Sequence, residues 1–284
     1  MISAIKKNGV IFTPDNLAYF MSEEAFKYCI TKKDEELIII EPSAGDGALA
    51  DSILQRANEL EYKKVVLYAF DINNDYLNSL KSKIESKYTN VKVICMCCDF
   101  VDYAFTNPEI KADIIISNPP YVRTQNMDKK YIEFASELLK LNGRIDLYHV
   151  FICLLKNVLK DNGVISIVVS NKFISNKAGL SLRSYISNNY SIKSLYDFGD
   201  TKLFNAAVLP AVLIMSKGET TDGEATYSSI YSDVSVSNED YLELFEAISK
   251  RNNYAIKDDQ LYKISYGTLS ITNNNWSIKS DKID

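Results

Sequence analysis

Seven short apolar runs, most of them rich in β-branched residues, recur along the 284-residue chain. The runs are 37–40, 65–70, 91–96, 113–116, 163–169, 192–198 and 208–215. Their apolar residues stand at consecutive rather than alternate positions, a pattern that is typical of strands buried on both faces. The runs therefore predict a mostly parallel seven-stranded sheet, which needs helices on both sides to cover it.

The segments between the runs carry apolar residues at helical spacing. They are Ala48, Leu49, Ile53, Leu54 and Ala57; then Leu77, Leu80 and Ile84; then Phe151, Leu154, Leu155, Val158 and Leu159, before a stop at Asn162-Gly163. Strands and helices in alternation predict an α/β fold, a Rossmann-like sandwich. Ligands of such folds bind at the carboxyl ends of the strands, near the point where the strand order reverses.

Charge divides the chain into two regions. The net charge is −5, yet residues 1–217 carry a net +1 and residues 218–284 a net −6. The polar stretch 218–223 lies between them, so we predict one domain over 1–217 and an acidic extension over 218–284. The first region can still carry a basic groove for phosphates. Its candidate residues are Arg123, Lys129, Lys130, Lys172, Lys177 and Arg183.

The chain has no run of about 18 apolar residues and no cleavable leader at its start, so we expect no membrane span and a cytoplasmic location. Five cysteines in a chain of this length fit a reducing compartment. Cys95, Cys97 and Cys98 lack a second pair at zinc-like spacing, and His149 is the single histidine. We therefore expect no metal site and a packing role for His149.

A glycine-containing turn follows the first predicted strand. Gly45 and Gly47 allow a tight turn and a close approach of the backbone to a ligand. Asp71 ends the second strand, where a carboxylate can accept both hydroxyls of a ribose. Asp99 and Phe100 follow the third strand and offer an acceptor and an aromatic face for an adenine. Together these strand ends predict an adenosine pocket.

The tetrapeptide Asn118-Pro119-Pro120-Tyr121 follows the fourth strand. Two successive prolines stiffen the backbone and remove two N–H donors, so that carbonyl acceptors dominate the corner. The Asn118 side-chain oxygen and the Pro119 carbonyl can each accept a hydrogen from a planar amine, and the Tyr121 ring can stack on its base. Such acceptors favour a tetrahedral nitrogen with its lone pair directed at an electrophile, so the corner predicts methylation of an aromatic amine.

These motifs, in this order, resemble those of the S-adenosylmethionine-dependent N6-adenine DNA methyltransferases, in the TaqI-like (gamma-type) arrangement where the cofactor motifs come first. Residues 9–14, followed by Tyr19-Phe20-Met21, resemble the amino-terminal motif of that family. Asp146-Leu147-Tyr148 with Phe151 resembles the block after the tetrapeptide. The resemblance extends over residues 8–217 and implies the sheet sandwich of a class I methyltransferase.

The resemblance also implies roles for individual residues. Thr13 and Glu41 would hold the methionine end of S-adenosylmethionine, Asp71 the ribose, and Ile72 would lie beside the adenine. The full cofactor set is Thr13, Glu41, Ser43, Gly45, Gly47, Asp71, Ile72, Asp99 and Phe100. The catalytic set is Asn118, Pro119, Pro120 and Tyr121, with Phe204 on the second face of an adenine flipped out of DNA.

By the same resemblance we expect a site-specific DNA adenine methyltransferase of a restriction-modification or related system, from a bacterium or phage. Its partner is DNA. The acidic residues 218–284 are unsuited to reading DNA alone, so a separate recognition domain or subunit is expected.

Two alternatives stay open at this point. The same tetrapeptide serves the methylation of adenine in RNA and of glutamine in proteins, so the acceptor is one open question. The other alternative is a non-catalytic partner subunit that keeps the fold, which predicts a degraded tetrapeptide or glycine turn. Transfer of a labelled methyl group to duplex DNA or to RNA separates the acceptors, and calorimetry of cofactor binding tests the second alternative.

Overall fold

The protein is described from a computed structural model that covers residues 11–106, 108–121, 128–140, 145–204, 209–218, 222–234, 242–272 and 275–281. By the clustering of its backbone contacts the chain forms two compact units. The first contains the residues up to Ile167 together with Ser216–Gly218, and the second contains Val168–Met215 and the residues from Glu219 onward. These units are not the domains predicted from the sequence, because 168–215 group with the C-terminal residues. The functional division at residue 217 stays a prediction.

The first unit alternates strands and helices. Its elements are α1 (Asp15–Phe26), β1 (Glu36–Glu41), α2 (Ala48–Glu59), β2 (Lys64–Asp71), α3 (Asn74–Lys87), β3 (Val91–Cys97), α4 (Phe100–Phe105), β4 (Ala112–Ser117), α5 (Lys129–Leu139), α6 (Leu147–Leu155) and β5 (Leu159–Ser170), whose last residues enter the second unit. The five strands pair in the order β3-β2-β1-β4-β5, and every pair is parallel.

The order reverses between β1 and β4, which places the switch point of the sheet there. Every residue of β4 is buried, and its isoleucines pair in register with β1, as Ile39 opposite Ile114 and Ile40 opposite Ile115. Helix α1 packs on α2, and α3 packs on β2 and β3. The consecutive apolar residues of the strands are thus covered on both faces, as the sequence pattern predicts.

The second unit begins with α7 (Lys172–Ser175), α8 (Leu180–Asn189), β6 (Tyr190–Asp197) and β7 (Pro210–Lys217). It continues with β8 (Asp222–Ser232), β9 (Leu242–Glu243), α9 (Leu244–Ser249), β10 (Tyr254–Lys257), β11 (Gln260–Thr272) and β12 (Asn275–Ser280). Its strand order is β7-β6-β8-β11-β10-β9, with β12 on β11. β6 and β8 are parallel, whereas β11 is antiparallel to β8, β10 and β12.

All seven predicted strands are present, and the predicted fold class is confirmed as a Rossmann-like α/β sandwich. Two features differ from the prediction. The apolar pattern predicts a helix through Leu159, but α6 ends at Leu155 and Leu159 begins β5, where it pairs with Ala112. The register then shifts, and Asn162 has a positive φ of 61°, so a bulge replaces the predicted helix stop. The strands after residue 218 were not predicted, because their alternating polar and apolar residues form no continuous apolar run.

Candidate active site

A cavity of about 420 Å³ opens at the carboxyl ends of the strands of the first unit. It is lined by residues that follow four different strands and by the segment before α1. The predicted site residues among its lining are Thr13, Glu41, Ser43, Gly45, Asp71, Ile72, Asp99, Phe100, Asn118 and Pro120. The fold therefore brings together residues that are more than 100 positions apart in the sequence.

Two hydrogen bonds connect the glycine turn to the end of β2. The Gly45 N–H donates to Asp71 Oδ2 over 2.9 Å, and the Ala44 N–H donates to the Phe70 carbonyl over 2.8 Å. Gly47 has a φ of 83°, and a Cβ there would lie 2.5 Å from Leu80 Cδ1. A side chain at residue 47 would thus be strained and would collide with α3, so this position requires glycine.

Asp71 faces the cavity in a fixed orientation. Its Oδ1 accepts from the Asn73 N–H over 2.8 Å while its Oδ2 accepts from Gly45, so both oxygens are held by the backbone. Each carboxylate oxygen can accept a second hydrogen bond. Ile72 beside it is 65% exposed and offers an apolar surface. The pair can therefore bind hydroxyl groups and an apolar ring edge of one ligand.

Asp99 caps α4 by accepting the Val101 N–H over 2.7 Å, and it lines the cavity. Phe100 is only 2% exposed, because its ring packs against Phe70 and Phe151 with centroid distances of 5.3 and 5.5 Å. The sequence predicts an open aromatic face at Phe100, whereas the ring is enclosed by aromatic neighbours. The stacking role of Phe100 stays a prediction.

Glu41 is a buried carboxylate at the end of β1, with 1% of its surface exposed. Its Oε2 has no hydrogen-bond partner among the described residues. Burial raises the pKa of Glu41 well above its usual range, and the nearby carboxylates of Asp46 and Asp71 raise that pKa further. An ammonium or other cation in the cavity would relieve both effects. The site is thus prepared electrostatically for a cationic ligand.

Asn118 follows β4, and the nitrogen and oxygen of its side-chain amide differ in their hydrogen bonding. Its Nδ2 donates to the Ile11 carbonyl over 2.9 Å and to Thr13 Oγ1 over 3.1 Å. Its Oδ1 is buried and accepts no hydrogen bond from any described residue. The Ser43 hydroxyl donates to the Asn118 main-chain carbonyl over 2.9 Å, which connects the glycine turn to the tetrapeptide.

Tyr121 is the last described residue before 128. Its hydroxyl is buried and has no partner in the described part of the chain. Burial, followed by the neighbouring Tyr148, raises the pKa of Tyr121. The hydroxyl therefore stays protonated at neutral pH, so Tyr121 cannot act as a base there.

The remaining predicted residues are distributed over both units. Phe204 belongs to the second unit, where 4% of its surface is exposed, and its role opposite Tyr121 stays a prediction. The Lys130 ammonium pairs with Asp102 over 2.7 Å, and Arg183 donates to the carbonyls of Phe173 and Asn176. These two cations are thus already engaged within the chain. Arg123 lies outside the described residues.

His149 has a structural role, as the sequence predicts. It is buried, its Nδ1 accepts the Asp146 N–H over 3.0 Å, and its ring stacks on Tyr148. Burial lowers the pKa of His149, so the ring is neutral.

In the described part of the chain, no group of His, Cys, Asp and Glu side chains is arranged to hold a metal ion. Likewise, no described helix combines the length and apolar character needed to cross a bilayer.

Several residues that line the cavity were not predicted as site residues. They include Ile11, Phe12, Asp46, Asp128 and Tyr131. Ile11 and Phe12 adjoin the predicted Thr13 and could have been included for that reason. Asp128 and Tyr131 carry no comparable signal, because they reach the cavity only through the packing of α5, which caps on Asp128 and places the Tyr131 hydroxyl on Asp102.

Several curated proteins are similar in sequence to this chain. Type II methyltransferase M.BanIII from Aneurinibacillus aneurinilyticus is 27% identical to this chain in an alignment of 294 positions, which covers 95% of this chain and 50% of that protein. The chain spans about half the length of the curated relatives it matches.

Two solved structures share the fold. A class I S-adenosylmethionine-dependent methyltransferase from Listeria monocytogenes matches with a TM-score of 0.58 at 19% identity, over 80% of this chain and 63% of that chain. The methyltransferase subunit of a type I restriction-modification system from Streptococcus thermophilus matches with a TM-score of 0.63 at 18% identity, over 94% of this chain and 50% of that chain.

Residues 48–204, more than half of the chain, match one family. The chain belongs to the Eco57I restriction-modification methylase family.

Proposed function

We propose that this chain carries the catalytic site of a DNA methyltransferase that moves a methyl group from S-adenosylmethionine to the N6 amine of adenine in a restriction-modification system. The observation that carries the proposal is the Oδ1 of Asn118, which is buried and has no hydrogen-bond partner among the described residues, while Asn118, Glu41 and Asp71 line one cavity. An amide that can accept from an amine thus belongs to a residue that lines the same cavity as the two carboxylate residues.

The residues of the cavity fit S-adenosylmethionine. Its ammonium matches the Glu41 oxygen that has no partner in the described part of the chain, and its ribose hydroxyls match the remaining acceptor capacity of Asp71. The acidic lining suits a ligand with positive charges. When bound, the cofactor supplies a methyl group on a cationic sulfur, which leaves as a neutral thioether.

Asn118 and Pro119 would then prepare the amine. The Asn118 Oδ1 and the Pro119 carbonyl accept the two amine hydrogens, which directs the nitrogen lone pair away from them. The Pro119 carbonyl is the proposed second acceptor, whereas the Asn118 carbonyl accepts from the Ser43 hydroxyl. No strong base is required, because the methylated nitrogen is acidic enough to lose its proton to solvent.

DNA reaches such a site only if the adenine leaves the duplex, at a cost of a few kcal/mol for unstacking. Stacking on the Tyr121 ring would recover part of that cost. We propose that the DNA sequence is read by a separate domain or subunit, because residues 218–284 carry a net charge of −6, which repels phosphate.

Sequencing of host DNA with detection of N6-methyladenine tests the proposal. Cells that express the chain, alone and together with its neighbouring genes, should carry methylated adenines within one sequence motif. Cells that express Asn118→Ala should carry none. Transfer of labelled methyl from S-adenosylmethionine to RNA or to a protein glutamine, with no transfer to DNA, would overturn the DNA assignment. Binding of the cofactor without any transfer would indicate a non-catalytic partner subunit.

A further inference from the structure

The side-chain amide of Asn118 has a defined orientation. The Ile11 carbonyl lies 2.9 Å from one of its terminal atoms, and a carbonyl can only accept. That terminal atom must therefore be the nitrogen, since an oxygen there would face another acceptor without a hydrogen between them. The Ile11 main-chain carbonyl thus determines the orientation of the Asn118 amide. The Oδ1 is then the amide atom that has no partner among the described residues.

The second hydrogen of the Asn118 amide is donated to the Thr13 hydroxyl over 3.1 Å. Thr13 is 7% exposed and lines the same cavity. A hydroxyl that accepts through a lone pair still has its own hydrogen to donate. Thr13 can therefore accept from Asn118 and donate to a ligand in the cavity at the same time. A chain of this kind polarises each of its hydrogen bonds.

We propose that Thr13 is a positioning residue for methyl transfer, which holds the Asn118 amide so that its Oδ1 faces the target amine. The inference rests on the proposed function and deepens it. Thr13 does not touch the reacting atoms in this role. It acts through Asn118, with the Ile11 carbonyl as the second restraint.

The proposal predicts a specific loss in Thr13→Val. Valine has nearly the shape of threonine but cannot accept a hydrogen bond, so the amide loses one of its two restraints. At saturating S-adenosylmethionine and unmodified genomic DNA, kcat for labelled methyl incorporation should fall about tenfold. Thr13→Ser keeps the hydroxyl and should restore kcat to within about threefold of the unsubstituted protein.

Thr31→Val is the matched control. The Thr31 hydroxyl donates to Asp113 over 2.7 Å near the opposite ends of the strands, so this variant loses a threonine hydrogen bond away from the cavity. Its kcat should equal that of the unsubstituted protein. If Thr13 were only a ligand contact, Thr13→Val would raise the KM for the cofactor and leave kcat at saturation unchanged, and the proposal would be overturned.

A second measurement needs no activity. In protein labelled with ¹⁵N-asparagine, the side-chain signals of Asn118 are identified by their loss in Asn118→Ala. In the absence of cofactor, Thr13→Val should shift one Asn118 amide proton upfield, whereas Thr13→Ser and Thr31→Val should leave both in place. Unchanged signals in Thr13→Val would overturn the proposal. If the signals shift as expected but the unsubstituted protein transfers no methyl group, the proposed function fails and the Thr13 contact stands.

Discussion

Two buried carboxylates of the first unit lie at opposite ends of neighbouring strands, and their surroundings differ. Asp113, near the start of β4, accepts from the Thr31 hydroxyl, the Ile38 N–H and the Lys160 ammonium, at 2.7, 2.8 and 2.8 Å. Glu41, at the end of β1, has an oxygen without a partner among the described residues. The Asp113 carboxylate thus finds its hydrogen-bond partners within the chain, whereas Glu41 has an oxygen that could accept from a ligand.

Asn118 lies at the other end of β4 from Asp113. Unsatisfied buried polar atoms cost about 1–3 kcal/mol each, so each of them calls for an explanation. In the described residues, Glu41 Oε2 and Asn118 Oδ1 are both such atoms and both residues line the cavity. If ligands bind at the carboxyl ends, as we propose, substitutions at the two ends of these strands should have separable effects on stability and on ligand binding.

The largest effect is expected for Asn118→Ala. This change removes the free acceptor, so kcat for methyl transfer should fall by about 100-fold to 1,000-fold. The dissociation constant of S-adenosylmethionine, measured by calorimetry, should stay within about twofold, because Asn118 acts on the acceptor amine. An equal loss of kcat and of cofactor affinity would contradict that role.

Asp113→Ala should show the opposite behaviour. It leaves the Lys160 ammonium and the Ile38 N–H without their acceptor, so the free energy of unfolding should fall by about 3 kcal/mol. Denaturant titration monitored by circular dichroism measures this loss. Cofactor affinity of the folded protein should be unchanged, and a loss of affinity larger than that of Asp71→Ala would show that the two ends are coupled.

Asp71→Ala should weaken cofactor binding by about 10-fold to 100-fold, since it removes the acceptors proposed for the ribose hydroxyls and frees the Gly45 N–H. Calorimetry at a fixed pH provides the affinity. The matched change is Asp51→Ala in α2, where the half-buried carboxylate pairs with Lys83 and Lys87 of α3. An unchanged affinity in Asp71→Ala would place the ribose elsewhere.

The smallest effect is a pH dependence that belongs to Glu41. Because its folded pKa lies above the unfolded value, the folded protein binds more protons, and stability falls as the pH rises from the unfolded pKa to the folded one. One such group changes the unfolding free energy by at most about 1.4 kcal/mol per pH unit. Glu41→Gln should flatten this slope in unfolding experiments from pH 4 upward. A slope that is unchanged by the substitution would contradict the assignment to Glu41.

The strands and the strand-end motifs could be predicted from the sequence because both depend on local patterns. Consecutive apolar residues mark strands such as β4, and the tetrapeptide at Asn118 needs only neighbouring residues to be recognised. The end of α6 could not be predicted in this way, because Leu159 fits either a helical face or a strand. Its pairing with Ala112 decides between them. The strands beyond residue 218 escaped prediction because the apolar signal there is weak.

The sequence by itself determined the α/β fold, the order of the motifs and the residue types that can bind an adenosine cofactor and an amine. Only the tertiary structure decided which polar atoms are satisfied. Thr13 and Asn118 are 105 residues apart, so no local pattern shows that one hydroxyl holds the amide of the other. The same holds for Phe100, whose ring is enclosed by Phe70 and Phe151. Hydrogen bonds and ring contacts of this kind depend on distances that arise only when the sheet has formed.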